Sequence, residues 1–311
     1  MSGHPGRVVC LSYLASAELW NVPRFPAANQ GAEICAIEQS VAADGPMVAA
    51  VLRALGVPSL LVANNVGDDS CGAEVLRWLR RHHVATTAQA GEGLGTPQIV
   101  VVADNAGTRT WFAHLPGVAG ALERLDLTPL VGAWFAYIDC YELFQVPAVR
   151  AIRAARSAGV PLLLNLGGSP LPASVIGSLH GYPGLIVQTN VDDDGAAGAA
   201  RIASSLLDDT SAAWVIVTAG GQGAFAFSRA ERLSVPAFRA EVRHTHCAGA
   251  AFSGGLLYGL LQGRPMAESL SLACACGALR CERAQDEPLS ALAELQQVIG
   301  SRERMPASAV L

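Results

Sequence analysis

Residues Val242 to Gly263 read V-R-H-T-H-C-A-G-A-A-F-S-G-G-L-L-Y-G-L-L-Q-G, a polar loop running into a helix of small and apolar residues. Such a junction presents unpaired backbone N–H groups and the positive end of a helix dipole, together a seat for phosphate or another anion. The amides of Cys247, Ala248 and Gly249 are the expected donors. A phosphoryl-transferring site wants a carboxylate on that first turn, to take a proton from the attacking hydroxyl. None is there, and position 250 is alanine. His244 and His246 alternate, so on an extended strand they share a face. An imidazole changes charge near working pH, which makes His246 the candidate substitute base. A zinc reading of His244, His246 and Cys247 lacks a fourth ligand in the sequence.

The elements that must hold this loop follow from hydrophobic periodicity. Val8 to Leu11 and Ser59 to Ala63 are short apolar strands, and Ala42 to Leu55 and Ala73 to His82 are helices. Between the first strand and helix, the segment to Ser40 alternates polar and apolar residues, as extended strands outside the main sheet do. Gln98 to Ala103 and Thr108 to Ala113 flank Asp104-Asn105-Ala106-Gly107, a hairpin by composition. Strands and helices then alternate: Ala133–Ile138, helix Pro147–Ala158, Pro161–Leu166, helix Ala173–Leu179, Gly184–Gln188, helix Gly195–Leu207 and Ala213–Thr218. Ala224–Ser228 and Arg232–Val235 form a second hairpin before the helix from Ala248 to Leu261 and two C-terminal helices. The pattern predicts an α/β fold, a mostly parallel sheet covered on both faces, with its ligand crevice at the carboxyl ends of the strands.

Composition narrows the partners. Of 311 residues 51% are hydrophobic and mean hydropathy is +0.34. The apolar runs are nevertheless broken before the roughly 18 residues that a membrane span needs. Met1 to Arg7 lacks signal-peptide character, so a cytoplasmic protein is expected, with no membrane partner. Net charge is −5 and the basic residues are dispersed, which argues against nucleic acid and for a small-molecule substrate. All 21 Lys+Arg residues are arginine, so lysine Schiff-base chemistry is excluded. The eight cysteines lack paired metal spacing and read as buried free thiols.

The order of motifs resembles the PfkB family of the ribokinase-like superfamily, over nearly the whole chain. Val66-Gly67-Asp68-Asp69-Ser70-Cys71-Gly72 resembles V-G-D-D-x-x-G, Asn190-Val191-Asp192-Asp193 resembles N-x-x-E, and Val217 to Ala224 resembles V-T-x-G-x-x-G. His244 to Phe252 falls where the family has D-T-x-G-A-G-D-A-F. The resemblance implies a single ribokinase-like domain over residues 1–311, with a β lid from about 14–40 and 98–113. It implies ATP-dependent phosphoryl transfer to a sugar, nucleoside or related alcohol. Gly249 and Ala248 would stabilise transferring charge, Thr218, Gly221, Gly223 and Cys247 would face the nucleotide, and Asn190 and Asp193 would orient Mg²⁺ through water. The lid residues Arg109 and Trp111 are candidate substrate contacts, and lid pairing suggests a homodimer.

The departures cluster at the substrate side. Ala250 takes the place of the family's catalytic Asp, His244 and Cys247 replace Asp and Gly, and Ala42-Ala43-Asp44-Gly45-Pro46-Met47 occupies G-G-K-G-A-N. Asp44 and Met47 thus fall on substrate positions, as does Ser16 in place of a sugar-binding Asp, with Glu18 a displaced candidate. Asp68 and Asp69 border the substrate pocket in the family and are equally good turn formers. Three readings stay open: a kinase whose Asp was replaced at 250, a degenerate nucleotide- or metabolite-binding module (a pseudokinase), and an enzyme of altered chemistry using a histidine base in the same cleft.

Overall fold

The computed structural model describes residues 6–104 and 109–303, without the side chains of Asp193, Asp194, Arg302 and Glu303. The turn residues Asn105 to Gly107 lie outside the described residues. In chain order the strands and helices are β1 (Val8–Leu11), β2 (Ala15–Val22), β3 (Ala36–Ala42), α1 (Asp44–Ala54), β4 (Ser59–Val62), β5 (Val66–Gly67), α2 (Ser70–Arg81), β6 (Ala85–Thr86), β7 (Ala90–Gly91), β8 (Gln98–Asp104), β9 (Arg109–His114) and α3 (Val118–Glu123). There follow β10 (Phe135–Asp139), α4 (Gln145–Ser157), β11 (Leu162–Asn165), α5 (Ala173–Leu179), β12 (Leu185–Asn190), α6 (Ala199–Thr210), β13 (Trp214–Thr218), β14 (Ala224–Phe227), β15 (Arg232–Val235), α7 (Ala248–Leu261), α8 (Met266–Glu282) and α9 (Leu292–Glu303).

The main sheet runs β15-β14-β13-β12-β11-β10-β1-β4-β6. It is parallel from β13 to β6, and the β14–β15 hairpin extends one edge antiparallel. Its strands are short and apolar throughout because helices cover both faces: α1, α7 and α8 pack on one, α4, α5 and α6 on the other. Polar residues gather at one end. Ser12 follows β1, Asp139 closes β10 opposite Asn165 of β11, and Asn190 of β12 sits opposite Thr218 of β13. That is the carboxyl end, where ligand crevices of such sheets form.

The segments expected as a lid form a second sheet, β3-β2-β8-β9, in which β2 and β8 are parallel and the outer pairs antiparallel. The expected helix at Ala42 starts at Asp44, since Ala42 still pairs with Ala15 of β2. The helix expected from Gly195 opens as a 3-10 turn, Asp193–Gly198, and becomes α-helical only at Ala199. Its glycines weaken the regular helix there. The small pair β5–β7 and helix α3 carry too little periodicity to be read in advance.

The small residues of α7 have a packing reason. A methyl group on Gly254 would lie 2.7 Å from Val51 of α1, and one on Gly255 2.7 Å from the Cys276 thiol of α8. The helix therefore lies wedged between two neighbours at close approach, beside α1 with both starts at the crevice.

Candidate functional site

Cys247 initiates α7 in the left-handed region, at φ 60° and ψ 14°, with no side-chain cap. Ala248 N–H donates to the Thr245 carbonyl at 3.3 Å and Ala251 N–H to the Cys247 carbonyl at 2.9 Å. Among the described residues the amides of Gly249 and Ala250 find no backbone partner. Gly249 is exposed, and a methyl group there would meet no atom within 4 Å. The seat at this helix start is open. Ala250, by contrast, is fully buried among the core residues. The loop before it is clamped from two sides: Arg109 of the lid donates to the Thr245 carbonyl at 3.1 Å, and His246 Nε2 donates to the Val41 carbonyl at 3.1 Å. Burial pushes the His246 imidazole down to about 3, so the ring is neutral with one nitrogen committed. His244 is also lowered by burial, with Nε2 2.6 Å from the Arg283 carbonyl. Burial pushes the Cys247 thiol up to about 12.

A second construction stands beside it at the start of α1. Ala43, the residue before the helix, sits at φ 80° and ψ 160°. Gly45 packs its backbone against Ser12, with room for no side chain: a methyl group would lie 2.3 Å from Ser12 Cβ. That closeness lets the Gly45 amide donate to Asp139 Oδ2 at 3.1 Å, joined by the Ser12 hydroxyl at 2.5 Å. The other oxygen, Oδ1, receives Tyr137 at 2.8 Å and the Asn165 amide at 3.1 Å, with the Tyr141 hydroxyl oxygen also 3.1 Å away. Asp44 is tied into the same group, its Oδ2 accepting from Tyr141 and from Asn165, each at 2.8 Å. Asp139 is 5% exposed, whereas Asp44 is half-buried. Burial, and after it the charge of Asp44, pushes Asp139 up to about 6, against the opposing hydrogen bonds of Ser12, Tyr137 and Asn165. Burial holds the Tyr137 and Tyr141 phenols far above their ordinary value, so both are donors.

The other sequence candidates are spread more widely. Ser16 is buried at the lid base and lines a pocket of about 460 Å³ with Glu38, Glu74, Arg77, Arg81 and Arg243, a lining that includes neither Asp44 nor Asp139. Glu18 accepts from Trp20 Nε1 at 2.9 Å and Gln39 at 3.1 Å. Met47 is 1% exposed in the core beneath α1. Trp111 is 61% exposed on β9. Asn190 is exposed at the end of β12, its amide lying over Gly168; the Asp193 side chain lies outside the described residues. Thr218 Oγ1 lies 3.5 Å from the Thr189 carbonyl, and Gly221 and Gly223 fall in or directly after the 3-10 turn that follows β13. Asp69 caps α2 through the Gly72 amide at 2.7 Å and anchors Thr96 by its hydroxyl and amide, bonds that hold its carboxyl below the ordinary range, the Thr96 hydroxyl first. Among the described residues no group of three or more His, Cys, Asp or Glu is arranged to hold a metal ion, and no helix is long and apolar enough to cross a membrane.

An open helix start at the carboxyl ends of a parallel sheet, with a separate four-stranded sheet, agrees with what comparison finds. Residues 36–290 match the pfkB family carbohydrate kinases. The chain belongs to that family. Its ribokinase-like architecture recurs in a protein assigned as a ribokinase from Agrobacterium tumefaciens, with a TM-score of 0.80 at 17% identity over 97% of this chain and 100% of that one. It recurs in the Arabidopsis thaliana ribokinase solved with ribose and ATP, with a TM-score of 0.74 at 17% identity over 95% and 99%. The Methanocaldococcus jannaschii nucleoside kinase gives 0.74 at 18% identity over 96% and 100%. At such identities the likeness is one of fold.

Within this pfkB fold, sequence reading missed Ser12, Tyr137, Asp139, Tyr141 and Asn165, the residues that surround Asp44. A signal was present. Each strand of the central trio ends or is followed by a polar residue after an unbroken apolar run, Leu11-Ser12, Ile138-Asp139 and Leu164-Asn165, at the end of the sheet where ligands bind.

Proposed function

We propose that this pfkB family member is an ATP-dependent phosphotransferase acting on a hydroxyl of a sugar, nucleoside or related alcohol. One observation carries the reading: two helix starts face the same crevice, one open at Gly249, where among the described residues the amides of Gly249 and Ala250 find no backbone partner, the other with a fixed carboxylate at Asp44. The first suits the terminal phosphate of a nucleotide, whose charge the amides and helix dipole stabilise as it redistributes during transfer. Cys247 adjoins that seat, whereas the Ala248 amide is already given to the Thr245 carbonyl; Thr218, Gly221 and Gly223, at and after the end of β13, would face the nucleotide. The second suits a hydroxyl-bearing acceptor, because Asp44 offers lone pairs and its neighbours Tyr141 and Asn165 fix its direction. Arg109, reaching from the lid to Thr245, couples lid position to the seat, and Trp111 lies farther along the same strand.

The fit to Mg²⁺ follows from donor chemistry. Asn190 offers one hard, exposed oxygen, and Mg²⁺ keeps several waters and binds substrate phosphates in preference to an all-protein cage. Asn190 and Asp193 would hold it through water, and when bound it neutralises charge on the phosphates. The exposed Trp111 and Phe112 on β9 support pairing of lids between two copies.

In this reading Ala250 occupies the position of the family's catalytic Asp, and activity is correspondingly weakened. The buried Ala250 and the committed, neutral His246 favour the binding-module alternative over a histidine-base enzyme. Calorimetry with Mg-ATP, together with ADP release over a panel of pentoses, hexoses and nucleosides, separates them. Binding with transfer supports the kinase, binding alone the module, and no nucleotide heat at millimolar ligand sinks both.

A further inference from the structure

We propose that Asp44 is the catalytic base of this cleft, so that the carboxylate lacking from the first turn of α7 is delivered from the first turn of α1. The inference rests on the phosphotransfer reading above and deepens it. The two helices lie side by side, Gly254 against Val51, and the segments leading into them are joined by the bond from His246 to Val41. Their first turns therefore open onto one space. Of the two carboxylates there, Asp139 is enclosed by four donors and 5% exposed, while Asp44 is half-buried and reachable.

Asp44 is aimed. Tyr141 and Asn165 hold Oδ2 at 2.8 Å each, and among the described residues Oδ1 has no hydrogen-bond partner, leaving its lone pairs for an acceptor hydroxyl. The loop itself supplies no rival: Ala250 has no functional group, the His246 ring is committed to Val41, and the Cys247 thiol is buried.

The acceptor's O–H proton passes to Asp44 Oδ1 while its oxygen forms a bond to the terminal phosphorus of a nucleoside triphosphate seated at α7. The bond from that phosphorus to the bridging oxygen breaks, its electron pair leaving on the nucleoside diphosphate, and Asp44 returns its proton to solvent.

The test measures ADP release with Mg-ATP and the pentose, hexose and nucleoside panel, and Mg-ATP affinity by calorimetry, for the wild type, Asp44→Asn and Asp44→Ala. The expected result is a fall in kcat of about 10²-fold or more in both variants, Mg-ATP affinity within about threefold of wild type, and partial recovery of the Ala variant, but not the Asn variant, on adding formate as an external carboxylate. Recovery by formate also excludes misfolding as the cause. An Asn variant within about fivefold of wild type, an Ala variant deaf to formate, or a wild type that binds Mg-ATP and transfers to no panel member overturns the assignment. A wild type that fails to bind Mg-ATP overturns the phosphotransfer reading itself.

Discussion

The starts of α1 and α7 are two versions of one device. Each helix begins at the carboxyl end of the main sheet, each is preceded by a non-glycine residue at positive φ, Ala43 at 80° and Cys247 at 60°, and neither has a side-chain cap. They differ in what the first turn carries. At α7 it is bare, open at Gly249 and without acid; at α1 it is packed against Ser12 and bears Asp44. The difference teaches that a backbone seat and an acid can be distributed over two neighbouring helices and still meet at one crevice. On the proposed assignment of Asp44, the missing side chain at position 250 would not abolish the function.

The strongest challenge to this contrast is to put an acid on the bare turn. Ala250 is fully buried, so Ala250→Asp is expected to cost on the order of 3 to 4 kcal/mol, set against less than about 1 kcal/mol returned by the helix dipole. If Asp44 already serves as base, turnover gains nothing. Denaturant unfolding and ADP release check both parts. A gain of about 10² or more in rate would mean that the bare turn had simply lost its acid and nothing had taken its place.

Asp139 allows the acidic side to be tested through pH. Its folded value, raised from 3.8 to about 6, means that the folded chain holds this proton more tightly than the unfolded chain. The associated stability is full below pH 4 and is lost as pH rises through 6, leaving a buried charge worth roughly 3 kcal/mol above that. Asp139→Asn should therefore gain on wild type by about that amount between pH 4 and pH 7. Unfolding midpoints for the two proteins across this window decide it; a constant difference would show that the carboxyl is not shifted.

Much of the architecture was legible, because a parallel sheet writes itself as apolar runs alternating with helical periodicity, and the lid as alternating strands around Ser16 and Arg109. The start of α7 was legible too, since its residues are consecutive. The Asp44 group was not. Ser12, Asp44, Asp139 and Asn165 come from four elements, and Ser12 and Asp139 stand 127 residues apart. Periodicity says nothing of which strand ends become neighbours. Asp44 itself stood out only through resemblance, and its bonds to Tyr141 and Asn165 required the strand order β11-β10-β1. Met47 illustrates the converse: a motif position suggested substrate contact, and the helix turns it into the core.

A methyl group distinguishes the packed start from the open one. Gly45→Ala forces a carbon to 2.3 Å from Ser12 Cβ, a stiff neighbour, and should destabilise by about 1 to 3 kcal/mol. Gly249→Ala meets nothing, so stability should hold or rise slightly with the better helix former. The same methyl intrudes on the seat, and Mg-ATP affinity should drop about tenfold, equivalent to about 1.4 kcal/mol. Thermal unfolding and calorimetry on the pair test the contrast, and equal stability losses would erase it.

The smallest expected effect concerns the two strained residues. Ala43, at φ 80° and ψ 160°, lies in a region that is essentially glycine territory, at a cost of about 1 to 3 kcal/mol. Cys247, at φ 60° and ψ 14°, lies in the milder left-handed well, about 1 to 2 kcal/mol. Glycine relieves either strain but adds freedom to the unfolded chain worth about 0.4 to 1 kcal/mol. At Ala43 the relief exceeds that term and only a methyl is lost, so Ala43→Gly should stabilise by about 1 kcal/mol. At Cys247 the relief is smaller and a thiol 8% exposed gives up its packing, so Cys247→Gly should be near neutral or slightly destabilising. Urea midpoints for the two variants rank the strain directly. The reverse order would place the greater strain at the anion seat, and the packed start of α1 would then be the relaxed member of the pair.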